Sequence, residues 1–271
     1  MSLAKARRPA DAEQEAPELQ VNMVNMRRTL DAVGDKARNG EGFTLFTVNL
    51  DHVVKLNQNR LFREAYERAN FITADGWPIV WLIQQQQQQQ AGQLERTTGA
   101  DLLEPLCKLA AEQGYPLYFI GPGPESQKDG LAVLGQRYPG LIVAGAEAPT
   151  LPAELDEATV EALADRVNAS GARVCVVSLG APKQEVLADA LFQKCPKVGF
   201  LCVGAALDFI SGHAARAPKA FQRVGMEWFW RMVSDPKRLA VRYAKCGLAM
   251  VQLGFPKIFR TKPRLRLVER D

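Results

Sequence analysis

Short unbroken apolar runs recur along the chain, separated by longer stretches in which apolar and polar positions alternate at helical spacing. The runs Phe43–Val48, Phe71–Thr73, Leu117–Ile120, Leu141–Ala144, Val174–Ser178 and Val198–Val203 have the length and composition of buried strands. The stretches between them predict helices over about 52–69, 77–91, 99–114, 125–138, 154–170 and 183–194. An amphipathic helix over about 21–38 precedes the first strand. Strand–helix alternation of this kind predicts an α/β fold, a parallel sheet with helices on both faces. After about Ile210 the pattern changes to two helices, roughly Lys219–Val233 and Pro236–Leu253, with Asp235 as a fitting N-cap and Pro236 at the first helical position. The expected organisation is a disordered, charged N-terminus at 1–20, a core at 21–210, a helical appendage at 211–253 and a basic tail at 254–271.

The strand ends share a property. They run into Thr47-Val48-Asn49, Ala74-Asp75-Gly76, Gly121-Pro122-Gly123, Gly145, Gly180-Ala181-Pro182 and Gly204. A parallel sheet gathers all of these along one edge, where open α/β sheets bind ligands. Asn49, Asp75 and Gln184 therefore meet at that edge although they are far apart in sequence. Asp75-Gly76 is an ordinary turn signal, and it is also where an α/β enzyme carries a reactive carboxylate. Read from the residues alone, hinge, metal ligand and base all stay open for Asp75.

Composition changes this picture little. A chain of 271 residues with 47% hydrophobic and 24% charged residues can bury a sizeable core without disulfides. The five cysteines show no CxxC spacing and read as reduced core thiols of a cytoplasmic protein. No apolar run is long enough to span a bilayer, and the N-terminus lacks the apolar centre of a signal peptide. Gln84–Gln90 is low-complexity sequence and reads as a solvated spacer.

Charge says more. From His213 to Asp271 fourteen Lys and Arg face four Asp and Glu, a net +10; with +4 overall, the rest of the chain carries −6. A basic end on an acidic body points to an anionic partner: a membrane surface, a phosphate-bearing substrate or nucleic acid. The tail mixes Phe255, Ile258, Phe259 and Leu265 with lysines and arginines, as a membrane-surface element or a mobile end would.

Several chemistries fit poorly. His52 and His213 have no partner at metal-ligand spacing, and both read as structural residues or simple hydrogen bonders. Gly121-Pro122-Gly123-Pro124-Glu125-Ser126 only begins a dinucleotide fingerprint, because Ser126 stands where the third glycine belongs. Ser178 lacks the flanking glycine of a nucleophile elbow. Gly180-Ala181-Pro182-Lys183-Gln184-Glu185 is more informative. A strand ends there and a helix starts, and free N–H groups at a helix start favour anions. Arg231, Arg238 and Arg242 lie seven and four positions apart, a spacing that can clamp a diphosphate on one helical face.

These segments resemble the WecG/TagA/CpsF family of bacterial glycosyltransferases. The resemblance is carried by "TVN" at 47–49, "TADG" at 73–76, "ERTTGADLL" at 95–103, "GAPKQE" at 180–185 and, most strongly, residues 207–239, in the family's order. It implies a Rossmann-like core and an inverting, metal-independent transfer with no cofactor. The hexose would pass from a UDP-sugar to a polyprenyl-diphosphate-linked saccharide, in cell-surface or exopolysaccharide synthesis at the cytoplasmic face of the membrane. By the same resemblance Asp75 is the general base, and Thr47, Asn49 and Gln184 line the catalytic pocket. Asp208 holds the nucleotide, with Gly76, Gly180, Pro182, Lys183 and Arg216 contributing to substrate binding. Arg231, Arg238 and Arg242 stabilise the leaving diphosphate. The implied partners are the donor, the acceptor and an anionic membrane surface reached through the basic C-terminal segment, with no nucleic acid and with homo-oligomerisation possible. The chain departs from the family pattern at Trp77-Pro78 and at Ala205-Ala206, and the glutamine run has no counterpart. The competing expectation is a non-enzymatic α/β module that binds a nucleotide and a membrane; an NAD-type oxidoreductase would need the missing third glycine.

Overall fold

The computed structural model describes residues 18–86, 94–152, 155–223, 227, 230, 233, 246–248 and 264–268. Six strands form one parallel sheet: β2 (Phe43–Val48), β3 (Phe71–Ala74), β4 (Leu117–Ile120), β5 (Val143–Glu147), β6 (Val174–Val177) and β7 (Gly199–Cys202). Their spatial order is β3-β2-β7-β6-β4-β5. The uninterrupted apolar runs are explained by two cores, one on each face. Phe46, Tyr118, Ile120, Cys175, Val177 and Phe200 point into one core, whereas Phe43, Leu117, Phe119, Val174, Val176 and Leu201 point into the other. Side chains alternate along a strand, so a strand covered on both faces needs apolar residues at every position. All five cysteines are buried.

The first core is closed by α2 (Leu50–Leu56), α3 (Arg60–Arg68), α4 (Trp77–Gln86), α7 (Glu157–Ser170) and α8 (Lys183–Lys194). The second is closed by α1 (Met26–Asn39), α5 (Gly99–Gln113), α6 (Pro124–Arg137) and α9 (Ala206–Ser211). The architecture is Rossmann-like. β2 and β7 are neighbours, yet the helix after β2 packs on one face and the helix after β7 on the other. Adjacent strands whose connections diverge in this way open a crevice at their carboxyl ends.

Several boundaries differ from the sequence reading, for local reasons. The helix expected over 52–69 is two helices, because Asn59 accepts a hydrogen bond from the Phe62 N–H and starts α3 afresh. The strand expected at Leu141–Ala144 lies at Val143–Glu147, on the outer edge of the sheet. The helix expected from 21 begins at Met26, where Asn25 caps it.

The segment before α1 is instead β1 (Glu18–Val21), so Glu18–Gln20 are not part of a disordered N-terminus. β1 pairs in parallel with β8 (Arg264–Leu267) near the other end of the chain. Leu19, Val21, Leu265 and Leu267 are buried by this pairing and join the first core. Residues 264–267 are thus an ordered strand rather than part of a mobile end. Lys219–Arg223 forms α10, within the range expected for the first appendage helix. The rest of the two expected appendage helices and most of the glutamine run lie outside the described residues.

Candidate active site

β2 and β3 are paired in register through Thr47–Thr73 and Val48–Ala74, so Asn49 and Asp75 are the next step on each strand. The Asp75 N–H donates to the Val48 carbonyl at 2.8 Å, extending the ladder past the strand end. Gly76 follows with φ 103°, a left-handed value that favours glycine, and the chain turns at once into α4. The loop before α5 is fastened to the same strand: the Thr97 N–H donates to the Ala74 carbonyl and the Thr73 hydroxyl donates to the Thr97 carbonyl. Next along this loop, Gly99 lies against the Val203 backbone so closely that a Cβ would come within 2.8 Å of the Val203 Cα. Asp75 is half-buried, held between the end of β2 and this loop.

Thr47 and Asn49 organise the end of β2. Asn49 caps α2, its Oδ1 accepting from the His52 N–H at 3.0 Å. The Thr47 carbonyl accepts from the Tyr66 hydroxyl at 2.7 Å, and His52 Nδ1 lies 2.8 Å from both that carbonyl and the Tyr66 oxygen. Tyr66 spends its only proton on Thr47, so His52 must carry hydrogen on Nδ1 to bond either neighbour. Burial, then the charges of Glu185, Cys202 and Asp75, push the Tyr66 phenol well above its ordinary value, so it stays a neutral donor. His52 is the buried hydrogen bonder that the sequence suggests. His213 instead bonds Asp129 on the surface, at 2.8 Å.

Gln184 is buried at the start of α8. Its Oε1 accepts from the Gly204 N–H at 3.0 Å and, more loosely, from the Leu179 N–H at 3.4 Å. Its Nε2 donates to Glu185 at 2.8 Å. The amide therefore ties the loops after β6 and β7 together beside the crevice. Asp75, Asn49 and Gln184 follow the carboxyl ends of β3, β2 and β6, with β7 between the last two; the outer strands are roughly 14 Å apart at ordinary strand spacing, and the Gln184 side chain narrows that gap by reaching the Gly204 N–H after β7.

Glu185 was missed by sequence reasoning, which gave roles to Gly180, Pro182, Lys183 and Gln184 of the same motif but not to it. It is fully buried, and its Oε2 has no hydrogen-bond partner among the described residues. Burial raises its carboxyl to about 7 against the opposing pull of Gln184, its own backbone N–H and Lys55. Lys55 bridges α2 to the motif, donating to the Ala181 carbonyl at 2.8 Å and pairing with Asp51 at 2.7 Å. The signal available in sequence was an acid in the first turn of a helix with no side-chain cap.

That carboxyl changes the reading of this helix start. The N–H groups of Lys183 and Gln184 bond the Gly180 carbonyl, and that of Val186 bonds Pro182. With Glu185 folded onto its own N–H, the first turn offers an incoming anion little beyond the exposed Lys183 side chain. Gly180 is exposed and Pro182 half-buried at the rim of the loop.

Asp208, in the first turn of α9, accepts from the Ser126 hydroxyl at 2.7 Å; Ser126 also lies 2.9 Å from the Ser211 hydroxyl. The residue that spoils the dinucleotide fingerprint thus holds an acid of the neighbouring helix. Arg216 donates to Asp101 at 2.6 Å, and the same carboxylate accepts from Thr98 and Arg96. Arg216 thereby fastens the segment after α9 to the loop that flanks Asp75. Arg231, Arg238 and Arg242 lie outside the described residues. Residues 16–264 match the model of the family described as Glycosyl transferase WecG/TagA/CpsF family.

Proposed function

The chain belongs to the WecG/TagA/CpsF family of glycosyltransferases, and from that premise we propose that it moves a hexose-type sugar from a UDP-sugar onto a polyprenyl-diphosphate-linked saccharide, with inversion. The family acts in cell-wall or polysaccharide synthesis. The observation that carries the proposal is the position of Asp75, half-buried at the carboxyl end of β3 and one step past a register pair with β2. A base there takes the proton of the acceptor hydroxyl as its oxygen attacks C1 of the donor sugar. The bond from C1 to the diphosphate breaks on the opposite face, and its electron pair leaves with UDP.

Thr47, Asn49 and Gln184 shape the pocket around the sugar. Their backbone-directed bonds make them positioning groups for the crevice. Asp208, Gly76, Gly180, Pro182, Lys183 and Arg216 contact the substrates around it. Arg231, Arg238 and Arg242 neutralise the departing diphosphate without a metal. The basic C-terminal segment holds the enzyme on an anionic membrane at its cytoplasmic face, as a monomer or a homo-oligomer. No helix among the described residues is long and apolar enough to cross a membrane.

The test is a panel of UDP-sugars offered with a polyprenyl-diphosphate-linked acceptor, with released UDP and the new linkage both measured. Asp75→Asn should lower turnover by about 10²-fold or more while UDP still binds. An unchanged rate in this variant removes Asp75 from the chemistry, and no transfer with any donor removes the reaction.

A further inference from the structure

The outward face of α4 is aromatic where a solvated helix face would be polar. Trp77 is 48% exposed and Trp81 41% exposed, one turn apart, whereas Ile79, Val80, Leu82 and Ile83 are buried beneath them. The core therefore has its side chains without either indole. Adjacent exposed indoles on one helix face mark an interaction surface rather than scattered surface apolarity.

The strand packed against α4 exposes a basic residue. α4 packs against β8, which buries Leu265 and Leu267 and exposes Arg266 between them. In sequence, Lys257, Arg260, Lys262 and Arg270 flank this strand; they lie outside the described residues. Indoles place an apolar body and a polar N–H at the boundary between acyl chains and headgroups, and arginines favour anionic headgroups. A pyranose bound in the crevice does not account for the pair. α4 follows the edge strand β3, and Trp81 stands about 6 Å along the helix axis from Trp77 on its outer side.

We propose that the Trp77–Trp81 face of α4 is an interfacial anchor that seats the enzyme on an anionic bilayer. It adds an apolar contact to the electrostatic one of the C-terminal segment. The anchor begins two residues after Asp75, so docking brings that edge of the sheet to headgroup depth. In this respect the inference rests on the lipid-linked acceptor proposed above, because a diphosphate-linked saccharide presents its hydroxyl there.

The full chain is tested against vesicles of phosphatidylethanolamine and phosphatidylglycerol. Lipids brominated near the headgroup should quench the fluorescence of a Trp228→Phe/Trp230→Phe protein, whose remaining indoles are Trp77 and Trp81. In the otherwise native chain, Trp77→Gln/Trp81→Gln should weaken partition by about 10-fold, and the part of the binding that survives high salt should vanish. Circular dichroism shows whether that variant is folded, and quenching of the protein that keeps both indoles decides independently of it. No quenching, or unchanged partition in the folded variant, overturns the anchor. Loss of self-association in the variant without any lipid quenching also overturns it and gives the face to a second copy. None of these measurements needs turnover, so a failure of the anchor is distinguishable from a failure of the transferase assignment.

Discussion

Asp75 and Glu185 are carboxyls of one sheet edge in opposite surroundings. The first is half-buried at a strand end, and the second is fully buried with one oxygen lacking a partner among the described residues. Glu185 holds its proton to about 7 when folded, well above the ordinary 4.5. The folded state therefore binds more protons than the unfolded chain between those values. The contribution of Glu185 is fully present below about 4.5, falls as pH rises towards 7 and is gone above it. The whole effect is on the order of 3 kcal/mol. Glu185→Gln keeps the acceptor for Gln184 and removes the titration. Its melting temperature should match that of the native chain near pH 5 and exceed it at pH 8; equal differences at both values would refute the shift. Glu185 was hard to find in the sequence because an acid in a helix's first turn usually faces solvent. Only the packing of α8 against β7, β2 and α3 shows it buried.

Among the elements, the pair β1–β8 reassigns the tail. Leu265→Ala should cost about 2–5 kcal/mol, read as a lower denaturant midpoint, because Leu265 is completely buried. A loss below about 0.5 kcal/mol would mean that the strand contributes little to the core. Removing 254–271 to test membrane binding would therefore also damage the fold, and replacing exposed Arg266 by Gln separates charge from packing. The central strands were legible because a strand covered on both faces reads as an unbroken apolar run. The β1–β8 pair was not, since each strand has four residues and their partners lie near opposite ends of the chain. The break between α2 and α3 was hidden for another reason. Asn59 restarts a helix inside a pattern whose apolar spacing continues across it.

At the scale of the whole molecule, topology rather than any single motif brings the candidate site residues to one sheet edge. The helices after β2 and β7 go to opposite faces, so Thr47, Asn49, Gln184 and Gly204 gather around one crevice with Asp75 one strand away. That convergence follows from the strand order. The sequence suggests only a shared edge. The charge split of +10 on residues 213–271 against −6 elsewhere gives the molecule two unlike ends. Vesicle affinity should fall as salt rises and then level off at the contribution of the indoles; a fall to zero would leave electrostatics alone. The β1–β8 pairing also has a consequence for synthesis. The first described strand leaves the ribosome well before its partner, which follows the whole six-stranded sheet in sequence. Its pairing edge and the underside of α4 therefore stay open until residues 264–267 have been made. Nascent chains stalled before residue 264 should be the form of this protein most prone to aggregate and most dependent on chaperones.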